Sequence, residues 1–500
     1  MPNLALALSE TATMYPDHPA VRLDDTTLSY AELDQASARV ATLLGIEGFQ
    51  PGDRVGVMLP NVPEFAVVYY GVLRAGGVVV PMNPLLKERE VEYYIQDSGA
   101  RYLFGSHELA KGVTEAARAA GARVISVAPG EFAAATPAGP EADIANRAAD
   151  DTAVILYTSG TTGHPKGAEL THANLSRNAH VTAVTLLGLE STDVILGCLP
   201  LFHAFGQTCC LNAAVQAGAT MILMARFDPS RALDVVAQER VTVFAGVPIM
   251  YSALVEQQAA SPRDTASLRL GISGGAALPV ETIRRFEAGF SCMILEGYGL
   301  SETSPVASFN HPQKERKVGS IGTPIAGVEF RLVDDDGRDV APGESGEIAI
   351  RGHNVMKGYW HKPEETAAAF VDGWFKTGDV ARVDEDGYYY IVDRKKDLII
   401  RGGFNVYPRE VEEVLYEHPA VLEAAVIGLP HESLGEEIGA AVVLRNGEWA
   451  SPEQLQAFVK ERLAPYKYPR HVWLMDSLPK GPTGKIMRRL VVAPKEASTK

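Results

Sequence analysis

Residues 153–167 read AVILYTSGTTGHPKG. The run Ala153–Tyr157 has the length and apolar character of a buried strand. It empties directly into a loop of glycines, hydroxyls, one proline and one lysine. Gly160 and Gly163 let backbone N–H groups approach a polyphosphate closely. Thr158, Ser159, Thr161 and Thr162 add hydroxyl donors, and Lys166 adds positive charge. The loop is suited to hold a phosphate chain. It is not the common P-loop, because Lys166 follows Pro165 and precedes Gly167 with no Ser or Thr after it. Taken alone, the same residues also describe an ordinary polar surface turn, so the remainder of the chain has to decide.

Five hundred residues supply more than one domain and ample material for a core. Apolar content of 46% and charged content of 22% are ordinary for a soluble globular protein. A net charge of −16 argues against general nucleic-acid binding, which needs a basic face. Any anionic ligand must then be held by locally placed Lys, Arg and N–H groups. Cys198, Cys209, Cys210 and Cys292 form no C-x-x-C pair and no metal-ligand spacing. They read as buried reduced thiols, which fits a cytoplasmic protein. The N-terminus, MPNLALALSETA, lacks a basic n-region and has too short an apolar run for a signal peptide. The most apolar stretch, Phe65–Pro81, is broken by Arg74 and Gly76-Gly77, so no membrane span is expected.

Along residues 1–150, helical spacing (Tyr30–Leu44, Pro63–Arg74) alternates with short apolar strands (Arg54–Leu59, Val78–Val80), which argues for α/β layers. Ala110–Asp150 is rich in Ala, Gly and Pro and is expected to form helix fragments and a surface loop. A helix is expected to begin at Thr171–Asn174. His203 lies between aromatics in LPLFHAFG, where a packed histidine is the commoner outcome. Val243–Pro248 reads as a strand ending at a proline turn. Leu270–Leu278, LGISGGAAL, reads as a strand running into a small-residue turn that would let a flat ring lie against backbone. Another strand, Cys292–Leu295, precedes EGYGLSET. Two carboxylates, a hydroxyl and an aromatic at a strand end suit a nucleotide and its metal, with Glu302 as an oxygen ligand for Mg²⁺. A helix start, with Ser301 capping and Glu302 favouring the dipole, accounts for the same residues.

Residues 320–395 change character to Val/Ile/Tyr alternation with Gly/Asp turns, the pattern of hairpins in a small β subdomain. Asp379 in WFKTGD reads as a turn former that would also suit a ribose diol. Asp393–Asp397, DRKKD, is a charged knot between two apolar strands, either a solvated turn or a linker between domains. A helix is expected from Val406, and the remaining hundred or so residues suffice for a small α/β domain.

YTSGTTGHPKG, EGYGLSET, GEIAIRGHNVMKGYW, WFKTGD, DRKKDLIIRGGFNVYP and PTGKIMRR occur in this order across almost the whole chain. Together they resemble the motifs of the adenylate-forming superfamily, which includes acyl-CoA synthetases, aryl-CoA ligases and luciferases. The overall resemblance is strongest to bacterial fatty acyl-CoA ligases. The resemblance implies an α/β fold. A large N-terminal domain (residues 1–395) of layered α/β would carry a small β-barrel-like subdomain. A small mobile α+β C-terminal domain (residues 396–500) would follow.

The implied chemistry has two steps. A carboxylate attacks the α-phosphate of ATP to give an acyl-adenylate and pyrophosphate, and a thiol, commonly that of coenzyme A, then takes the acyl group. Joining two anions places the catalytic burden on neutralisation and positioning. By motif, Thr158, Ser159, Gly160, Thr161, Thr162 and Gly163 with Lys166 would cradle the β- and γ-phosphates. Thr158 and Glu302 would help to hold Mg²⁺. Gly275, Ala276, Glu296, Gly297, Tyr298 and Gly299 would form the adenine site, with Ser301 near the α-phosphate. Asp379 and Arg394 would hold the ribose. Lys485 would act as a point charge on the α-phosphate and carboxylate. Gly402, Gly403 and Phe404 would line the thiol tunnel, with rotation about a hinge at Lys396 exchanging them for Lys485.

His203 stands where amino-acid-activating relatives carry an Asp for the substrate amine, which disfavours amino acids and places His203 at the acid. A medium- or long-chain fatty acid is the expected substrate. An aryl acid of the coumarate type, a small acid such as malonate, and an acyl-AMP ligase loading a carrier protein are the alternatives. The expected partners are the carboxylic acid, ATP and coenzyme A, with no nucleic acid; a homodimer is left open.

Overall fold

The computed structural model describes residues 3–130, 142–158, 165–394, 397–402, 404–431, 433–481 and 484–494. Among these, two large sheets build most of the molecule. One has nine strands, in the order Thr323–Pro324, Val306–Phe309, Met293–Gly299, Leu270–Ser273, Val243–Gly246, Val194–Gly197, Thr220–Leu223, Pro19–Leu23 and Thr26–Ser29. Its central pairs are parallel, from Met293–Gly299 through to Pro19–Leu23. The other has seven, in the order Gly358–Tyr359, Lys166–Thr171, Thr152–Thr158, Val78–Pro81, Arg54–Met58, Tyr102–Ser106 and Arg123–Val127. Parallel strands need both faces covered, and the apolar runs seen in the sequence are those strands.

The helix Pro63–Arg74 is buried along its whole length. A helix apolar all round belongs inside a core, and Pro63 occupies its first turn, where a missing N–H costs nothing. Its two charges are answered locally. Glu64 accepts the Gly130 N–H at 2.7 Å, and Arg74 pairs with Asp34 at 2.6 Å. Among the described residues no helix is long and apolar enough to cross a membrane. The four cysteines are free and buried.

The hairpins expected after residue 320 form one antiparallel sheet of Val328–Val333, Gly346–Gly352, Trp374–Val383, Phe370–Val371 and Tyr389–Arg394. The sheet curls so that Phe330 on one flank meets Tyr389 on the other at 5.2 Å. Beyond it, Ile399–Arg401, Phe404–Val406, Val421–His431, Gly435–Leu444 and His471–Leu474 make a separate sheet. The helices Pro408–Tyr416 and Pro452–Lys460 add Val411, Leu415, Leu455 and Val459 to that sheet's own core, which forms the smaller C-terminal domain.

Four local expectations need correction. Arg123–Val127 is a strand at the edge of the seven-stranded sheet, inside the stretch read as helix fragments and loop. Its half-exposed edge position explains the weak apolar signal. Ser301 caps nothing: Ser301–Thr303 is a single 3₁₀ turn whose preceding residue is Leu300. Asp379 is not in a reversal but within the long strand Trp374–Val383, where Gly378 at φ +74° supplies the irregularity. Phe404–Val406 is a strand, and the helix expected from Val406 starts at Pro408, where proline favours the first turn.

Candidate active site

The strand Thr152–Thr158 pairs antiparallel with Lys166–Thr171, and Thr158 stands directly opposite Lys166. The two ends of the Gly-rich loop are thereby pinned side by side. Ser159, Gly160, Thr161, Thr162 and Gly163 lie outside the described residues. Thr158 Oγ1 donates to Glu302 Oε1 at 3.4 Å, and Tyr359 Oη donates to the same oxygen at 3.0 Å. Lys166 Nζ sits 5.5 Å from the centre of the Tyr359 ring. Tyr359 reaches this point because Gly358–Tyr359 adds as an edge strand to Lys166–Thr171. Glu302 is buried. Burial raises its carboxyl above the usual carboxylate range, against opposing hydrogen bonds from Tyr359 and Thr158.

A second cluster gathers on the β subdomain. Asp379 is 3% exposed and accepts Tyr298 Oη at 2.6 Å and Arg394 Nε at 2.7 Å. Asp379 and Arg394 are register partners on adjacent strands, which fixes their geometry in the backbone. The Asp379 carboxylate raises the Arg394 guanidinium further. Beside them, Glu296 accepts the Leu278 N–H at 3.2 Å through Oε1, while its buried Oε2 has no partner among the described residues. Burial lifts its carboxyl to about 7, with Arg409 from the small domain pulling the other way. A half-satisfied buried carboxyl at a strand end is an open hydrogen-bonding position for a ligand. Gly275 adopts φ +78° in the turn between Ser273 and Leu278, beside Glu296. Gly297 lies under the Phe309 ring, where a Cβ would meet Cδ2 at 2.1 Å.

Lys485 enters from the small domain. Its side chain is exposed, close enough to Arg394 and Asp379 of the large domain to sense both charges. Desolvation by the surrounding protein, then Arg394, pulls its ammonium down to about 8, while Asp379 opposes the shift. His203 feels the same lysine: burial and then Lys485 push its imidazole down to about 4, so it is neutral near pH 7. His203 Nδ1 accepts the Phe205 N–H at 3.3 Å, which fixes the tautomer with the proton on Nε2. The neighbouring Lys480 is neutralised by Glu423 at 2.7 Å, whereas Lys485 has no hydrogen-bond or ion-pair partner among the described residues.

The structure therefore brings Thr158, Lys166 and Glu302 into one corner, Tyr298, Asp379 and Arg394 into a second, and Lys485 with His203 between the domains. It does not bring Gly402 and Phe404 there. Phe404 is 56% exposed and stacks on Tyr466, and Gly402 N–H bonds to Leu434 O, all within the small domain. Lys396 and Gly403 lie outside the described residues. Sequence reasoning missed Tyr359, although it falls inside the quoted segment GEIAIRGHNVMKGYW. It also missed Arg488, three residues beyond Lys485, which bridges Asp393 at 3.0 Å, Asp397 at 3.3 Å and Glu412 at 2.6 Å. Among the described residues no group of three or more His, Cys, Asp and Glu converges on a metal position.

Comparison with known proteins gives a consistent family. A model described as AMP-binding enzyme matches residues 8–360, and one described as AMP-binding enzyme C-terminal domain matches residues 410–485. A long-chain-fatty-acid–CoA ligase of Bacillus subtilis (strain 168) is 38% identical, over 98% of this chain and 94% of its own. A feruloyl-CoA synthase of an Amycolatopsis species is 42% identical, over 95% of this chain and 96% of its own. The solved structure of ATP-bound MatB from Rhodopseudomonas palustris aligns with a TM-score of 0.91 at 36% identity, covering 98% of each chain.

Proposed function

The chain belongs to the AMP-binding enzyme family, and we propose that it adenylates a medium- or long-chain fatty acid with ATP and passes the acyl group to coenzyme A. It is an acid–thiol ligase that forms AMP. The observation that carries the reading is that Lys485, from the small domain, lies within electrostatic reach of His203, Asp379 and Arg394 of the large one. Among the described residues Lys485 has no ion-pair partner, which leaves its charge for a ligand between the two corners. In this reading Asp379, held by Tyr298 and Arg394, takes the ribose diol, and Glu296 Oε2 faces the adenine. Thr158, Lys166 and the loop between them hold the β- and γ-phosphates. Lys485 stabilises charge as the carboxylate attacks the α-phosphate.

The hard oxygen donors of Glu302 and Thr158 fit Mg²⁺, which takes one or two protein oxygens and completes its shell with phosphate and water. When bound, the ion would neutralise phosphate charge. Burial raises the Glu302 carboxyl, and a bound cation would hold it ionised. We place the domain boundary at residues 395/396, between the two sheets, and the reaction in the cytoplasm.

The apolar strands Val243–Gly246 and Leu270–Ser273 support an apolar acid. An aryl acid is the second reading. The feruloyl-CoA synthase relative and the Phe205 ring packed against Gly274 favour it. Graded fatty acids, hydroxycinnamic acids, benzoate and malonate in a pyrophosphate-release assay, with and without coenzyme A, separate these. The expected outcome is release with fatty acids and an acyl-CoA product. A clear preference for ring acids installs the second reading, and turnover only with a carrier protein removes coenzyme A as acceptor.

A further inference from the structure

The small domain meets the large one away from Lys485 as well as beside it. Arg445 directly follows the strand Gly435–Leu444, and its Nη1 lies 2.6 Å from Oε1 of Glu256. Glu256 belongs to the helix Pro248–Ala260 of the large domain. The start of that helix borders Lys485: a Cβ on Gly484 would lie 3.2 Å from Ile249 and 3.4 Å from Val247. Ile249 and Glu256 are separated by about two helical turns and so share a face. One rigid rod thus touches the small domain at two points, the lysine loop at its start and Arg445 toward its end. The Arg445 side chain is 16% exposed and that of Glu256 36%, so solvent and salt weaken the pair less than a fully exposed one. Arg285 on the adjacent helix Val280–Phe290 lies close enough to sense both charges. Among the described residues, neither Glu256 nor Arg445 is bonded to a residue assigned to ATP or to the acid.

Resting on the adenylation reading above, we propose that Glu256 and Arg445 are positioning residues for the first half-reaction. Their ion pair holds the small domain in the seat that presents Lys485 beside His203 and Arg394. The pair acts on the balance between seated and unseated arrangements, so it has no part in a step that does not use Lys485.

The test uses the full chain with E256Q, R445Q and the exchanged pair E256R/R445E. ATP–pyrophosphate exchange reads the first half-reaction, and thiolation of a supplied acyl-adenylate reads the second. Each single variant is expected to lower exchange by about two- to tenfold while thiolation is kept, and the exchanged pair to recover to within about twofold of wild type. Added salt should narrow the gap between wild type and the single variants. Wild-type exchange in both single variants, an equal fall in both half-reactions, or no recovery in the exchanged pair overturns the proposal. Absence of exchange in the wild-type protein itself overturns the reading it rests on, so the two failures are told apart.

Discussion

At the scale of single residues, charge state decides what the site can do. Lys485 is a cation below about pH 8 and neutral above it, because desolvation and Arg394 lower its ammonium from the ordinary lysine range. The kcat/KM for ATP in pyrophosphate exchange should therefore fall as pH rises through about 8. Lys485→Arg should move that limb beyond the measurable range. Lys485→Ala should lose most exchange and keep thiolation of supplied adenylate; equal loss of both half-reactions would count against its assignment. Glu296 carries the opposite lesson. Its folded carboxyl titrates near 7, above the ordinary 4.5, so its contribution to stability is full below pH 4.5 and lost as pH rises through 7. Glu296→Gln keeps the acceptor for Leu278 and removes the charge. Its stability relative to wild type should rise between pH 5 and pH 8 by up to about 3 kcal/mol, measured by denaturant melts at the two values. A pH-independent difference would mean that Glu296 is not the titrating group.

At the scale of elements, the strand Met293–Gly299 shows how backbone shape sets side-chain placement. Gly299 is required because a Cβ there would lie 1.6 Å from Pro305 O, a backbone atom that cannot step aside. Gly299→Ala should cost about 3 kcal/mol and displace Tyr298 from Asp379 and Glu302 from Thr158 together. Nucleotide affinity and melting temperature should fall in the same variant, and a wild-type melt with wild-type ATP binding would refute the argument. The strand itself was legible as an apolar run, and so was the strand Thr152–Thr158. The fate of Ser301–Thr303 was not. A serine before an acidic residue has the same local signature whether it caps a helix or starts a single 3₁₀ turn, and contacts with Thr158 and Tyr359 settle it.

At the scale of the whole molecule, charge joins the β subdomain to the small domain. Arg488 binds Asp393, on a strand of the β subdomain, together with Asp397 and Glu412 of the small domain. The side chains of Asp393 and Glu412 are 3% and 13% exposed, so removing the guanidinium leaves carboxylates crowded and unpaired. Arg488→Gln should cost about 3 kcal/mol and appear in calorimetry as an earlier transition of the small domain, with pyrophosphate exchange reduced. A single unshifted transition would show that the junction does not depend on it.

The amino-acid sequence by itself determined the kinds of element, the order of the α/β layers and the β subdomain. Those signals are local: apolar period, turn residues, and a strand running into glycine. Its motifs also placed the chain in its family. Only the tertiary structure decided which side chains meet. Tyr359 reaches Glu302 across 57 positions, Tyr298 reaches Asp379 across 81, and Arg445 reaches Glu256 across 189. No local pattern encodes such a pairing. It arises when sheets stack and bury groups whose hydrogen bonds must then be met from wherever the chain returns.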